Sequence, residues 1–210
     1  MLTAIILILL AGYLIGCIHG SNIARLMSGV NLKEVGHGNA GASNATLSLG
    51  WKYGVLVALI DIGKGAVAIV LLRLYLVNFS SFTAEQTSLL LYLIGASVII
   101  GHNFPIHMKF RGGKGTASLI GIFMALDWKF GLIAVIVFVV VSLLTNYLLI
   151  GVAFLYIIFG ATALLTEPAI WPFIIILALF LIALYLHLEN IYRIRIGTEP
   201  KVTSAFKKKG

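Results

Sequence analysis

Apolar runs of nearly bilayer-crossing length recur along this chain, with only short polar intervals between them. A helix needs about 20 predominantly apolar residues to cross the hydrocarbon core. The 210 residues therefore accommodate roughly seven crossings and leave no room for a sizeable soluble domain. Composition agrees: 60% of residues are hydrophobic and 10% charged, whereas soluble chains run nearer half apolar and a quarter charged. The expected fold class is all-α, a polytopic integral membrane protein with seven transmembrane helices, forming a single domain over residues 1–210.

The expected spans are about 2–24, 53–76, 87–103, 116–127, 130–145, 148–165 and 169–187. The long apolar tract from 116 to 187 is divided at Asp127-Trp128-Lys129, Thr145-Asn146-Tyr147 and Thr166-Glu167-Pro168, where polar or proline residues would be costly in contact with lipid. The fourth span is short. Leu14-Ile15-Gly16-Cys17 has the look of a lipoprotein cleavage site, but no Lys or Arg precedes it and a secretory signal wants a positive start. The first run is read as a retained helix.

The net charge of +8 is not a nucleic-acid footprint, because the basic residues are not gathered into a stripe interleaved with aromatics. It is a topology signal. Arg25, Lys33, Lys52, Lys109, Arg111, Lys114, Arg193, Arg195, Lys201, Lys207, Lys208 and Lys209 fall in segments on one side, against Arg73 and Lys129 on the other. Since Lys and Arg concentrate in cytoplasmic loops, the N-terminus is expected outside and the C-terminus in the cytoplasm. Cys17, the single cysteine, allows no internal disulfide, and no Cys/His metal spacing is present. Within the spans, Asp61 and Lys64 lie one helical turn apart and are placed to pair on one face; a substrate contact by Lys64 is the other reading.

Three polar clusters share the cytoplasmic side. Lys109-Phe110-Arg111-Gly112-Gly113-Lys114-Gly115-Thr116 stands immediately before a helix. Its glycines let backbone N–H groups approach an anion, the helix start adds partial positive charge, and Lys114 adds a full one. The spacing is not that of a nucleotide P-loop, and a loop that binds lipid headgroups fits the same residues. Gly36-His37-Gly38-Asn39-Ala40-Gly41-Ala42-Ser43-Asn44 offers amide donors and acceptors at Asn39 and Asn44, or simply turn chemistry. His187 and Asn190 lie three apart on one helix face. Beside a phosphate cradle, His187 is a candidate proton acceptor for an alcohol nucleophile; otherwise it is a headgroup neighbour.

In this order and at these separations, the clusters resemble the bacterial acyl-phosphate:glycerol-3-phosphate acyltransferase family, the PlsY enzymes. The resemblance is carried by Gly36 to Asn44 with Leu49-Gly50, Asp61 with Lys64-Gly65, Gly101-His102-Asn103-Phe104-Pro105 running into Lys109 to Gly115, and His187, Asn190 and Gly197 to Lys201. It implies a multi-pass enzyme of the bacterial inner membrane with its active site facing the cytoplasm. The implied donor is an acyl phosphate, the acceptor glycerol 3-phosphate and the product 1-acyl-glycerol 3-phosphate (lysophosphatidic acid). No cofactor or metal is implied, membrane lipid is the surrounding partner, and a monomer is expected. Gly112, Gly113 and Gly115 match the phosphate-binding loop with Lys114, and His187 and Asn190 match the catalytic pair. Lys33, His37, Asn39, Asn44 and Lys64 are the further expected substrate contacts.

Departures from the family pattern fall in the first motif and the residues before it. His37 stands where the family has serine, Leu47 and Lys33 where it has arginine, Cys17 where it has serine and His19 where it has proline. Losing a guanidinium at Leu47 removes a bidentate phosphate donor whose geometry lysine does not reproduce. The alternatives are therefore the same fold with a different donor or acceptor, or a non-catalytic lipid-binding or transport relative. Transport wants polar groups at the midplane and related halves, and the spans offer only Asp61 and Lys64.

Overall fold

The computed structural model describes residues 1–206, and these are helical, with no strand among the described residues. Lys207, Lys208 and Lys209, counted above toward the cytoplasmic charge, lie outside the described residues. The chain divides into two compact units, Met1–Leu126 and Asp127–Gly210.

The first unit contains α1 (Leu2–Gly16), α2 (Gly20–Ser28), α3 (Ala42–Leu49), α4 (Trp51–Phe79), α5 (Ala84–Asn103), a 3-10 turn (Ile106–Met108) and α6 (Thr116–Leu126). Helix α1 packs on α5, and α4 packs on α6 and α3. Lipid tails are as apolar as leucine, so helices in a membrane associate through close packing of small residues. A Cβ at Gly16 would collide with the Val98 carbonyl oxygen, one at Gly101 with that of Tyr13, and one at Gly121 with that of Ile62. Under the first loop, Ala24, Leu32, Ala45 and Val57 form a small buried core.

One feature differs from the sequence expectation. The first span is not one straight helix: it breaks at Cys17, Ile18 and His19 before α2, and the carbonyls of Gly16 and Ile18 accept hydrogen bonds from Lys64 Nζ at 3.0 and 2.5 Å. A side chain 46 or more residues away thus satisfies the break, which local sequence does not announce. The expected fourth span is α6, with 11 residues. At 1.5 Å per residue it is about 16 Å long, roughly half the hydrocarbon thickness. Arg73 closes its C-terminal end by donating to the carbonyls of Ala125 and Leu126 at 2.7 and 3.0 Å.

The second unit contains α7 (Trp128–Thr145), α8 (Leu148–Thr166), α9 (Trp171–Leu186), α10 (Leu188–Arg195) and a 3-10 turn (Val202–Phe206). The polar interruptions read from sequence are its helix ends. The Asp127 carboxylate accepts from the N–H groups of Lys129 and Phe130 and caps α7. Asn146 ends α7 in the left-handed region at φ 63°; its backbone carbonyl accepts from Val202 N–H and its side chain from Thr203.

Among the described residues, five helical segments are long and apolar enough to cross a membrane: Leu2–Ser28, Trp51–Phe79, Ala84–Met108, Trp128–Thr145 and Leu148–Thr166. The pair α9 and α10, bent by 50°, makes a sixth if taken as one span. Large apolar side chains lie exposed along these helices, Val77, Leu144 and Leu165 among them. Patches of that extent are foreign to soluble monomers and suit a lipid-facing surface.

Candidate functional site

The glycine loop is built on the last turn of α5. The N–H of Gly113 donates to the His102 carbonyl at 3.1 Å, and that of Gly112 donates to the Asn103 carbonyl at 3.0 Å. Gly112, Gly113 and Gly115 are buried, and Lys114 between them is half-buried. The glycines are required by contact: a Cβ at Gly112 would strike the His102 carbonyl oxygen, and one at Gly113 the Nε2 edge of the His102 ring. Gly115, at φ 82°, turns the chain against the Asn103 side chain into α6. Just upstream, Lys109 and Phe110 both occupy the left-handed region, at φ 53° and 59°, a conformation costly for residues with a Cβ. The loop thus delivers its backbone and Lys114 to the start of α6, where the first N–H groups have no intrahelical acceptor and favour an anion.

Beneath the loop lies a buried polar group. Lys64 Nζ is 3.1 Å from Asp61 Oδ1 and 2.7 Å from His102 Nδ1, in addition to its bonds to Gly16 and Ile18. As an ammonium, Lys64 has only donors, so His102 accepts at Nδ1 and, as a neutral ring, carries its proton on Nε2, the edge facing Gly113. Asp61 Oδ1 also accepts from the Gly20 N–H at 3.2 Å. Lys64, expected as a substrate contact, is buried and joins the α1–α2 break, α4 and the seat of the loop.

The first loop is organised by Asn44. Its buried amide donates to the carbonyls of Leu32, Val35 and Asn39 at 2.9, 3.1 and 2.9 Å, and its Oδ1 accepts from the His37 N–H at 3.0 Å. Asn44 therefore shapes this loop from within. Lys33 and Asn39 are half-buried and His37 exposed.

In the second unit, His187 sits at the bend between α9 and α10, buried, with Nδ1 2.8 Å from the Ala183 carbonyl oxygen. A carbonyl only accepts, so Nδ1 bears the hydrogen and the lone pair of the neutral ring is on Nε2. The ring borders an apolar crevice lined also by Val152, Phe180 and Ala183. Asn190 donates to Glu199 Oε1 at 2.6 Å; Arg193 donates to Glu199 Oε2 at 2.6 Å and pairs with Glu189. Sequence reasoning did not single out Arg193 or His102 as functional. The Glu189/Arg193 spacing of four was the available signal for the first; the position of His102 directly before the loop was the only one for the second.

Comparison with known proteins identifies the family. Residues 6–197 match the model of the family described as glycerol-3-phosphate acyltransferase. The chain belongs to that family. It is 46% identical over 203 residues to glycerol-3-phosphate acyltransferase 1 of Oceanobacillus iheyensis, covering 95% of this chain and 96% of that protein. It is 35% identical over 206 residues to a glycerol-3-phosphate acyltransferase of Thermoanaerobacter sp., covering 96% and 94%. Among solved structures it is similar to the glycerol 3-phosphate form of PlsY (YgiH), an integral membrane glycerol 3-phosphate acyltransferase, with TM-score 0.82 and 27% identity over 94% of both chains. The lysophosphatidic acid form matches with TM-score 0.79 and 29% identity. A multi-pass membrane protein follows from these relatives together with the apolar helices.

Proposed function

We propose that this chain is a membrane glycerol-3-phosphate acyltransferase that uses an acyl phosphate as donor and releases lysophosphatidic acid and inorganic phosphate. The observation behind the reading is the glycine loop, a tight turn seated on α5 that delivers Lys114 to the start of α6, in a chain whose relatives are glycerol-3-phosphate acyltransferases. An acyl phosphate is a mixed anhydride and already activated. The acceptor hydroxyl oxygen attacks the acyl carbon, the bond from that carbon to the phosphate oxygen breaks, and phosphate departs. No covalent enzyme intermediate is needed: the work is to hold two anionic substrates in register and stabilise charge as it develops.

In this reading Lys114 and the Gly115 N–H bind phosphate at the start of α6, while Gly112 and Gly113, expected as phosphate donors, hold the loop on α5 because their N–H groups are spent on the Asn103 and His102 carbonyls. Lys33, His37, Asn39 and Asn44 complete the anion contacts directly or through loop shape. Lys64 acts on the loop through His102. His187 Nε2 accepts the hydroxyl proton, or the departing phosphate does, and Asn190 orients the acceptor. Residues 1–210 work as one domain and as a monomer, with seven membrane passages, the N-terminus outside, the C-terminus in the cytoplasm, and the active site on the cytoplasmic face of the bacterial inner membrane.

The test is an assay of purified chain with an acyl phosphate and glycerol 3-phosphate. Lys114→Ala is expected to lower turnover by about 10²–10³-fold, as for loss of one preorganised donor, and His187→Ala by about 10²-fold or more. Near-normal rates in both would refute these roles. Leu47, where the resemblance expects arginine, favours one second reading, a changed donor or acceptor. A wild type that is silent with these substrates beside an active His37→Ser/Leu47→Arg double variant would select it.

A further inference from the structure

The break between α1 and α2 drops His19 into the interior beside the Asp61–Lys64 pair, and the proposed reaction makes no use of it. His19 is 1% exposed, yet among the described residues neither of its ring nitrogens has a hydrogen-bond partner. A buried polar group in that condition calls for a partner, water or an ion. The ring stacks on His102 with centroids 4.6 Å apart and 20° between the planes. One donor atom from each of His19, Asp61 and His102 lies within 4.8 Å of the other two, all three residues being buried; Asp61 Oδ1 and His102 Nδ1 are 3.7 Å apart. Bonds of about 2.0–2.2 Å in a tetrahedral site set ligand atoms about 3.3–3.6 Å apart, so a ring rotation and a shift of about 1 Å at His19 would close this set around one ion.

The same space already holds a cation. Lys64 Nζ, with three N–H bonds to give, has four acceptors around it: Asp61 Oδ1, His102 Nδ1 and the carbonyl oxygens of Gly16 and Ile18. This is a cage of oxygen and nitrogen lone pairs around a positive centre. We propose that His19, Asp61 and His102 form a binding site for a divalent d-block cation of the Zn²⁺ or Co²⁺ type, with the Lys64 ammonium as its tethered, alternative occupant. Two imidazoles and one carboxylate favour such ions over Mg²⁺ or Ca²⁺, which want oxygen ligands. The Gly16 and Ile18 carbonyls are at hand to complete the coordination when Lys64 swings aside. Nothing in this proposal depends on the transferase reading.

The test is a Co²⁺ titration of the full chain, purified in detergent and stripped with a chelator, followed by visible d–d absorption. The wild type is expected to bind about one equivalent, and X-ray absorption of the loaded protein to show two imidazole ligands. His19→Phe keeps the stacked ring without the nitrogens and should weaken binding at least about tenfold. His107→Gln, whose ring centroid lies 6.1 Å from that of His19 but outside the cage, should bind as the wild type does. Lys64→Met removes the competitor, so it should bind Co²⁺ at least about tenfold more tightly and melt at a higher temperature with Co²⁺ than without. Absence of d–d absorption in the wild type, equal affinity in His19→Phe, loss of binding in His107→Gln, or no Co²⁺-dependent melting shift in Lys64→Met would each overturn the proposal. Should Lys64→Met fail to purify, the wild-type spectra decide alone.

Discussion

The glycine loop and the C-terminal cluster around Asn190 are held by opposite means. The loop rests on His102 and Asn103, each 2% exposed, and its shape is dictated by steric contact: there is no room for a methyl group at Gly112 or Gly113. The C-terminal cluster is a charge network, Asn190 to Glu199 to Arg193 to Glu189, whose outer end is solvated, with the Glu189 side chain 69% exposed, and whose Arg193 and Glu199 side chains are 16% and 12% exposed. Packing in a close-filled interior is intolerant of even one added carbon, whereas partly solvated ion pairs contribute modestly and respond to salt. Under the proposed function, the loop that presents Lys114 to phosphate has the rigid support, and the cluster around the Asn190 amide has the adjustable one.

The sharpest way to break this contrast is Gly113→Ala. The new methyl meets the His102 ring, which is pinned at Nδ1 by Lys64, so the loop itself must move. Initial rates should fall more than about 100-fold, the loss typical of misplaced transition-state donors; a variant within a few-fold of wild type would show that the loop is not sterically fixed. Next in size is Lys64→Met. Removing one partner of a buried ion pair typically costs about 3–5 kcal/mol, and thermal unfolding in detergent without added divalent metal should show a clear drop in midpoint. An unchanged midpoint would mean that Lys64 does not support the α1–α2 break and the His102 seat.

Glu199→Gln probes the other region. Losing the charged acceptor for Asn190 and Arg193 removes bonds worth about 1.5–3 kcal/mol each when partners are charged, partly restored by water and the remaining amide oxygen. A drop of about tenfold in kcat with little change in KM is expected, shrinking relative to wild type as ionic strength rises. A 100-fold loss independent of salt would place this cluster in the rigid class. The smallest effect is expected at Gly63, a helical glycine in α4 with open space at its Cβ position. Gly63→Ala should leave the rate within about twofold, as helix propensity favours Ala by about 1 kcal/mol, and a large loss there would mean that glycine position alone does not predict sensitivity.

Much of the fold was legible because the polar breaks are where the bilayer forbids them to be lipid-exposed: Asp127, Asn146 and Thr166 each mark a helix end. The break after Gly16 was not legible, since its satisfaction by Lys64 is a contact between residues 46 or more apart and the local apolar pattern runs on without a signal. In the candidate site, glycine spacing and Lys114 marked a tight basic turn, but the reason for Gly112 and Gly113 is the His102 carbonyl and ring, visible only once α5 and the loop are folded together. Asn44 was readable as a polar residue in a flexible stretch, and its position at the centre of the loop's hydrogen bonds turns a candidate ligand into a loop organiser. Glu199 reaches Asn190 and Arg193 because Gly197, at φ 73°, turns the chain back, a reversal that a glycine permits but does not require.

Direct acyl transfer from an acyl phosphate to glycerol 3-phosphate, without an acyl-enzyme, fixes the stoichiometry of the proposed reaction. Lysophosphatidic acid and inorganic phosphate should be quantified together in a single reaction of the purified wild type, with an acyl thioester as the alternative donor in a parallel reaction. The expected result is one phosphate released per lysophosphatidic acid formed from the acyl phosphate, dependent on glycerol 3-phosphate, and no product from the thioester. Equal or faster product formation from the thioester, or phosphate release that proceeds without the acceptor, would contradict it.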